Sequence, residues 1–478
     1  MSKDTQVITI GNAFELVCRH VEAYSGLEDL ARVDERHFGQ KAAFWSTQHG
    51  LPTIVICTAA PSHTVLDATY DDQPQPIFIE PIRSSSSICH DVLADANARS
   101  RLLSVLDRRK GVFLAPYVHT AHVESLATFL LNSGYTLLDY HCQAELVKLL
   151  WNKVNAQQVV FTSVDLLNRH RPNAIVAESE NDLLVTISQF ARQGTKKVVV
   201  KSAAAVGGAG VFFVDTLSVV QGAPPQTFLC SLGQNEVDRS APFLVEEWVE
   251  WDVSPTVDIE VTGRGQVVVE GVAIQRLYDR RYYAGFYSSP SLEARWWFRS
   301  VEALARSVGR RLANIGYIGP ANVDFVVCSS ERRITLIEVN PRRSALIDGF
   351  SLRKMKYGSA PGTSISVADY VNVSGHFVSL ENAFSSCALT KKASAAIFPI
   401  ADGGFSSNFR WAGVCAVGLG SLDSEDILEE SALHLQDPAR DEIGLAEPKR
   451  RSFGRISERP VSCPPRSHET SKVDTAIS

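Results

Sequence analysis

Asp324 and Glu338 each stand inside an otherwise apolar run. The stretch IGPANVDFVVCSSERRITLIEVNPRRS spans 318–344. Its apolar segments Val323–Cys328 and Ile334–Val339 flank a polar turn, Ser329–Arg333. That pattern predicts a hairpin of two buried strands. In an antiparallel pair the two carboxylates fall beside each other. Asn340 lies two residues beyond Glu338, so strand alternation turns it to the same face, and Arg342 follows by two more. Two carboxylates and an amide oxygen with a cation alongside suit Mg²⁺ and the phosphates it carries. A buried salt bridge between either carboxylate and an arginine is the competing reading on spacing alone.

The upstream chain supplies what such a site needs. Strand-like Val198–Lys201 runs into the small-residue loop Ser202–Gly210, and a second strand follows, Val211–Val214. Gly207, Gly208 and Gly210 allow that loop to fold over a ligand and present backbone N–H groups to phosphate oxygens. The lysine precedes the glycines and no GK[ST] follows, so the loop is a hairpin flap and not a strand-to-helix cradle. Lys201 emerges at the flap's root, and Lys153 precedes a helix-like segment further upstream. The apolar strand Phe243–Val245 closes on Glu246 and Glu247, acids that need donors such as an adenine amino group or ribose hydroxyls. Arg276, Tyr278, Arg280, Arg281, Tyr282 and Tyr283 make a loop suited to an acidic substrate with polar or aromatic bulk.

The elements that hold these residues follow from apolar periodicity. Residues 1–150 alternate strands (Val7–Ile10, Pro52–Cys57, Val112–Pro116, Tyr135–Leu138) with helical stretches, Asp91–Leu106 and Ala121–Asn132 among them. That implies an α/β layer with a mostly parallel sheet. The Gly11-Asn12 turn is not GxGxxG and reads as a plain tight turn. Helices are expected over 181–192 and Leu292–Ile315, the latter leading into the hairpin. Further on, Ala396–Pro399 and Val414–Gly418 read as strands and Ser424–Leu433 as a helix. From 436 the chain is polar, charged and rich in proline, the composition of a disordered tail.

The chain has 478 residues and a net charge of −6, 45% of it hydrophobic and 21% charged. Several domains are expected, and a general nucleic-acid binder would be basic. No apolar run reaches the length of a membrane span. The nine cysteines are scattered with no CxxC pair, which points to reduced, packing thiols in a cytoplasmic protein.

The order Lys153, Lys201 with its glycine flap, Glu246-Glu247, the Arg/Tyr loop and Asp324…Glu338-x-Asn340-x-Arg342 resembles the ATP-grasp superfamily. IEVNPR is close to that family's metal-binding motif. The resemblance implies an α/β protein whose two α+β subdomains grip ATP, over 151–345, divided into a lid at 151–250 and a metal and substrate half at 251–345. It implies a Rossmann-like pre-ATP-grasp domain over 1–150 and a small α/β region over 346–435. LLWNKVN, GPANVDF and EVNPRRS further resemble peptide ligases of the pheganomycin type. By the same resemblance Lys153 and Lys201 hold ATP. Glu246, Glu247 and the backbone at Trp248–Val249 form the adenine hinge. Asp324, Glu338 and Asn340 ligate Mg²⁺. Arg342, with Arg276 as partner and Lys201 nearby, steadies the transferring phosphoryl group. Glu250, Asp252 and Ser254 compete for the ribose. The implied activity joins a carboxylate to an amine, such as an amino acid or peptide, through an acyl phosphate. Related ligases are often dimers, so a homodimer is an expectation as well.

Overall fold

The computed structural model describes residues 4–15, 35–36, 39–45, 53–70, 73–83, 85–139, 141, 143–161, 165–203, 210–217, 242–278, 280, 282–358, 362–373, 382–383, 395–401, 411–418, 424 and 428. Strand–helix alternation at the start of the chain becomes a parallel four-stranded sheet. Its strands are β1 (Thr5–Ile10), β2 (Thr53–Ile56), β3 (Ile77–Ile79) and β4 (Gly111–Pro116), in the order β3-β2-β1-β4. This is the expected Rossmann-like layer. β1 is buried along its whole length, as a strand covered on both faces must be. The helices described in full here include α1 (His63–Tyr70), α2 (Ile88–Ala94), α3 (Ala96–Val105) and α4 (Ala121–Asn132). The sequence predicts one helix over Asp91–Leu106, and the structure breaks it at Asp95. The Asp95 carboxylate accepts from the N–H groups of Asn97 and Ala98, while its own N–H closes α2 on Asp91. One side chain thus caps the second helix as the first ends.

The next region carries α5 (Ala144–Trp151), α6 (Lys153–Ala156) and α7 (Glu180–Arg192). Asn152 separates the first two and caps α6 through the N–H groups of Val154 and Asn155, which fixes Lys153 at the first helical position. An antiparallel sheet follows, built from β5 (Ala174–Ala177), β6 (Lys197–Ser202), β7 (Val211–Asp215) and β8 (Phe243–Glu247), in the order β5-β8-β6-β7. Leu183, Ile187 and Phe190 of α7 pack into its core. Lys201 lies opposite Val211, so the glycine loop is a hairpin connection as read. Gly210 turns at φ +69°. Gly207 and Gly208 lie outside the described residues.

The third sheet has eight antiparallel strands: β9 (Pro255–Val261), β10 (Val267–Tyr278), β11 (Tyr282–Ser288), β12 (Gly319–Cys328), β13 (Arg333–Asn340), β14 (Ser364–Asn372), β15 (Ala395–Ala401) and β16 (Trp411–Gly418). Their order is β13-β12-β9-β10-β11-β14-β16-β15, so the three last strands extend the sheet that carries the hairpin. Helix α8 (Phe298–Asn314) covers one face. A Cβ on Gly309 would meet Val267 and Ile259 side chains at 2.5–3.0 Å, so only glycine lets the helix lie this close. Helix α9 (Leu346–Tyr357) lies on the opposite face, where Phe350 sits over Gly271. The fully buried Lys41 reaches the same face, with its Nζ 2.5 Å from Asp369 Oδ1 and 3.3 Å from Asp348 Oδ2. Trp45 Nε1 donates to Asp348 Oδ1 at 2.7 Å. The predicted tail from 436, and the 424–433 helix apart from Ser424 and Leu428, lie outside the described residues. Among the described residues no helix is long and apolar enough to cross a membrane.

Candidate active site

The hairpin forms in the register its alternation requires. Asn322 lies opposite Asn340, and Asp324 opposite Glu338. A β-bulge after Asp324 shifts the pairing beyond it. Odd-numbered positions of β9 turn towards α8, whereas Thr256 and Asp258 turn to the other face. There Asn322 Nδ2 donates to Thr256 Oγ1 at 2.7 Å and to Asp258 Oδ1 at 2.9 Å. Asp324 Oδ2 accepts from Asn340 Nδ2 at 3.0 Å, and its Oδ1 accepts from Gln275 Nε2. Ser344 Oγ donates to Asp258 Oδ2 at 2.6 Å and in turn accepts from the N–H of Leu346. The result is a continuous polar row across β13, β12, β9 and β10.

Its electrostatics favour added positive charge. Burial, and then the charge of Glu338, push the Asp324 carboxyl up to about 7. Burial, helped by the charge of Glu270, pushes Asp258 up to about 6 against its hydrogen bonds from Ser344 and Asn322. Glu338 goes the other way. Burial would raise it, but the ammonium groups of Lys153 and Lys201 outweigh that and hold it below the usual carboxylate range. The salt bridge anticipated as an alternative does exist, with a lysine in place of an arginine: Lys153 Nζ is 2.5 Å from Glu338 Oε1.

The opposite wall of the cleft comes from the four-stranded antiparallel sheet. Lys201 Nζ is 2.5 Å from Glu246 Oε2, with both side chains nearly inaccessible. The same ammonium reaches Ile337 O at 3.5 Å, across the cleft on β13. Gln157 Nε2 donates to Glu246 Oε1 at 3.0 Å. Glu247 instead takes the amide of Asn173 at the rim, and Val249 is buried just beyond. Lys153, Lys201, Glu246, Asp324, Glu338 and Asn340 therefore meet in one cleft between two sheets.

No family model matches the chain, and no curated protein matches it. Solved structures do. The ADP complex of an N5-carboxyaminoimidazole ribonucleotide synthetase aligns over 91% of this chain and 97% of its own, with a TM-score of 0.51 at 13% identity. The Thermus thermophilus synthetase of the same name covers 90% and 97%, with a TM-score of 0.50 at 15% identity. The Aspergillus clavatus synthase in complex with ADP and 5-aminoimidazole ribonucleotide covers 91% and 98%, with a TM-score of 0.50 at 13% identity. The fold is the ATP-grasp fold.

Within this ATP-grasp fold the two predicted arginines part company. Arg342 lies on the polar face. Its guanidinium carbon stands 5.6 Å from the Tyr117 ring centroid and 5.9 Å from that of Trp151, and Nη1 donates to Arg343 O at 2.9 Å. Arg343 hooks the same loop to the end of β4 through Tyr117 O and Pro116 O. Arg276 follows Gln275, whose side chain faces Asp324, so alternation turns Arg276 to the other side of the sheet. Its Nη2 donates there to Ser366 Oγ at 3.0 Å. The structure does not bring Arg276 beside Arg342. Of the three groups competing for a ribose, Ser254 is buried and donates to Phe325 O at 3.3 Å. Glu250 accepts from Trp248 and Arg280, and Asp252 from the N–H of Ser329. Gln275, Asn322, Asp258, Tyr117 and Trp151 join the site without having been anticipated. Alternation along β9 and β10 could have flagged Asp258 and Gln275, while Tyr117 and Trp151 arrive through tertiary contacts alone.

A divalent cation fits this donor set. Among the described residues no group of three or more His, Cys, Asp or Glu is placed to hold a metal, so a cation held by Asp324 and Glu338 would need the Asn340 amide as its third donor. An amide offers an oxygen as readily as the N–H it now turns to Asp324. The groups against these carboxylates are an ammonium and amide hydrogens, the positive charge that a cation would replace.

Proposed function

We propose that the protein is an ATP-dependent ligase that activates a carboxylate as an acyl phosphate and joins it to an amine, releasing ADP and phosphate. The observation that carries this reading is the pairing of Asp324 with Glu338 on one sheet face, within reach of Lys153 and Lys201 from the facing wall. Asp324, Glu338 and Asn340 would hold Mg²⁺, which when bound neutralises phosphate charge. Lys153 and Lys201 are placed to leave their glutamates for phosphate oxygens. Glu246 and Val249 line the adenine side. Arg342, beside the Tyr117 and Trp151 rings, supplies positive charge where the acyl phosphate forms. The glycine-rich loop between β6 and β7, read from the sequence as a flap, would close over the phosphates and exclude water, which otherwise hydrolyses the acyl phosphate. The reaction needs positioning and charge, and no enzyme nucleophile.

The substrates in this reading are small molecules, an amino acid or peptide among them. The pre-ATP-grasp region makes the peptide ligases of the pheganomycin type the nearest model, working in the cytoplasm. A second reading, carboxylation with bicarbonate, draws support from the near-complete overlap with N5-carboxyaminoimidazole ribonucleotide synthetases. ADP release measured with a panel of amino acids, and separately with bicarbonate, decides between them. The ligase reading fails when no carboxylate and amine pair stimulates turnover.

A further inference from the structure

The reverse face of the sheet that carries the hairpin holds a cleft that the proposed reaction does not use. Its volume is about 620 Å³, within the range of small-molecule pockets. Ile274 lies opposite Pro255 of β9 and so on the side of α8, while its neighbour Gln275 turns to Asp324 on the polar face. Val253, bridged to Val327, joins Ile274 in the lining, with Trp296 and Trp297 above them. The tryptophans line a cleft because the helix expected from Leu292 begins later. The chain makes a 3₁₀ turn over Pro290–Ala294, extends at Arg295 (φ −72°, ψ 136°) and enters α8 only at Phe298. Arg295 and Arg332 complete the apolar lining with charge, and the Arg332 guanidinium carbon stands 5.0 Å from the Trp296 ring centroid. Arg332 arrives from the turn between β12 and β13, where its backbone is left-handed at φ +50°. Among the described residues neither guanidinium forms an ion pair. The acid in the lining, Asp252, turns its carboxylate to Ser329, whose N–H donates to it at 2.7 Å. Two guanidinium groups against that one carboxylate leave the cleft positive.

We propose that this cleft is a second binding site, for a planar aromatic carboxylate. The indoles and the aliphatic side chains of Val253 and Ile274 offer a ring the flat apolar surroundings it packs against. A guanidinium stacked on an indole keeps its N–H edge free, because its donors lie in its own plane. A carboxylate on the bound ring can therefore take charge-assisted hydrogen bonds from Arg332 and Arg295. A neutral ring would leave both guanidinium groups unused, and a cationic one would be repelled by them. The site stands apart from the ligase reading, since Asp324 and Glu338 turn to the opposite face. It meets the same hairpin at its turn, so one β-ribbon borders both clefts.

Calorimetry with indole-3-acetate tests it, with neutral indole-3-acetamide and ringless acetate as controls, on the free protein and on protein saturated with MgADP. The wild type is expected to bind indole-3-acetate. Each control should bind at least roughly tenfold more weakly, through loss of a hydrogen bond to a charged group or of the buried ring. Arg295→Gln and Arg332→Asn should each weaken binding roughly tenfold at an unchanged melting temperature. Asparagine accepts the left-handed backbone at 332, and Arg295 is exposed, so its variant judges the site even where the other fails to fold. MgADP should leave the affinity for indole-3-acetate as it is. A loss in either arginine variant supports the site. Wild type that does not bind indole-3-acetate, controls that bind as tightly, or arginine variants that both bind as the wild type does, overturn it. Competition by MgADP overturns it as well, because the probe then sits in the nucleotide cleft. Failure of MgADP to bind would sink the nucleotide reading instead, while the arginine variants still judge this site.

Discussion

Replacing Glu338 with glutamine removes one negative charge and almost no volume. The charge sits opposite Asp324 and 2.5 Å from Lys153. A unit charge about 4 Å away in an effective dielectric near 20 is worth about 4 kcal/mol, or roughly a thousandfold in an equilibrium. Losing it from the ligands of a divalent ion should cut metal-dependent turnover by about that factor. Folding stability should change far less. Glu338 and Lys153 are 29% and 13% exposed, so breaking their pair costs about 1 kcal/mol. Asp324 meanwhile loses the like charge that helps push it up to about 7, which offsets part of that loss. The assay is ADP release against Mg²⁺ concentration, with thermal unfolding run alongside. Expected are a near-dead enzyme and a melting temperature within a few degrees of the wild type. A Glu338→Gln enzyme that is active with an unaltered Mg²⁺ requirement removes Glu338 from the site.

Gly285 sits at φ +142°, and a Cβ there would lie 2.0 Å from Val367 O, so Gly285→Ala should lose about 3 kcal/mol in denaturant titration. An unchanged midpoint would mean that β11 and β14 are spaced more widely. His119 is held down to about 4, first by burial and then by the Arg343 charge. The folded state therefore keeps the ring neutral while the unfolded chain protonates it below about 6.5. Stability present above that pH should fall by up to about 3 kcal/mol as the pH drops towards 4. His119→Gln should flatten that slope, and a slope that persists assigns it elsewhere. Gly208→Val should raise the KM for ATP without lowering the melting temperature; unchanged ATP kinetics would remove the flap from the phosphate site.

The parts of the site that could be read from sequence share a local origin. Asp324, Glu338 and Asn340 belong to one hairpin, whose turn and alternation set their register before any tertiary contact forms. Lys201 lies at the root of a second hairpin, and the helix Ala121–Asn132 has the bounds its pattern predicts. Arg276 shows where the reading stops. Composition places it in a ligand loop, yet its side depends on strand order, which one segment does not reveal. The same holds for β15 and β16, whose patterns give strands but not their attachment through β14, a strand not among those expected from the sequence, to the edge at β11. Tyr117, at the end of β4, meets Arg342 only because the two regions dock.

Lys41 lies 328 residues before Asp369, its partner in the buried ion cluster. At about 5–20 residues per second, the ribosome delivers the acid on the order of half a minute after the base. The parallel sheet has a core of its own and can form during that wait. The segment around Lys41 cannot settle, because an ammonium buried without its carboxylates is too costly. A nascent chain therefore carries a finished first layer, with the segment around Lys41 still unplaced, until β14 has been made. The face that joins Lys41 to Asp348 and Asp369 is completed by one of the sheet's later strands.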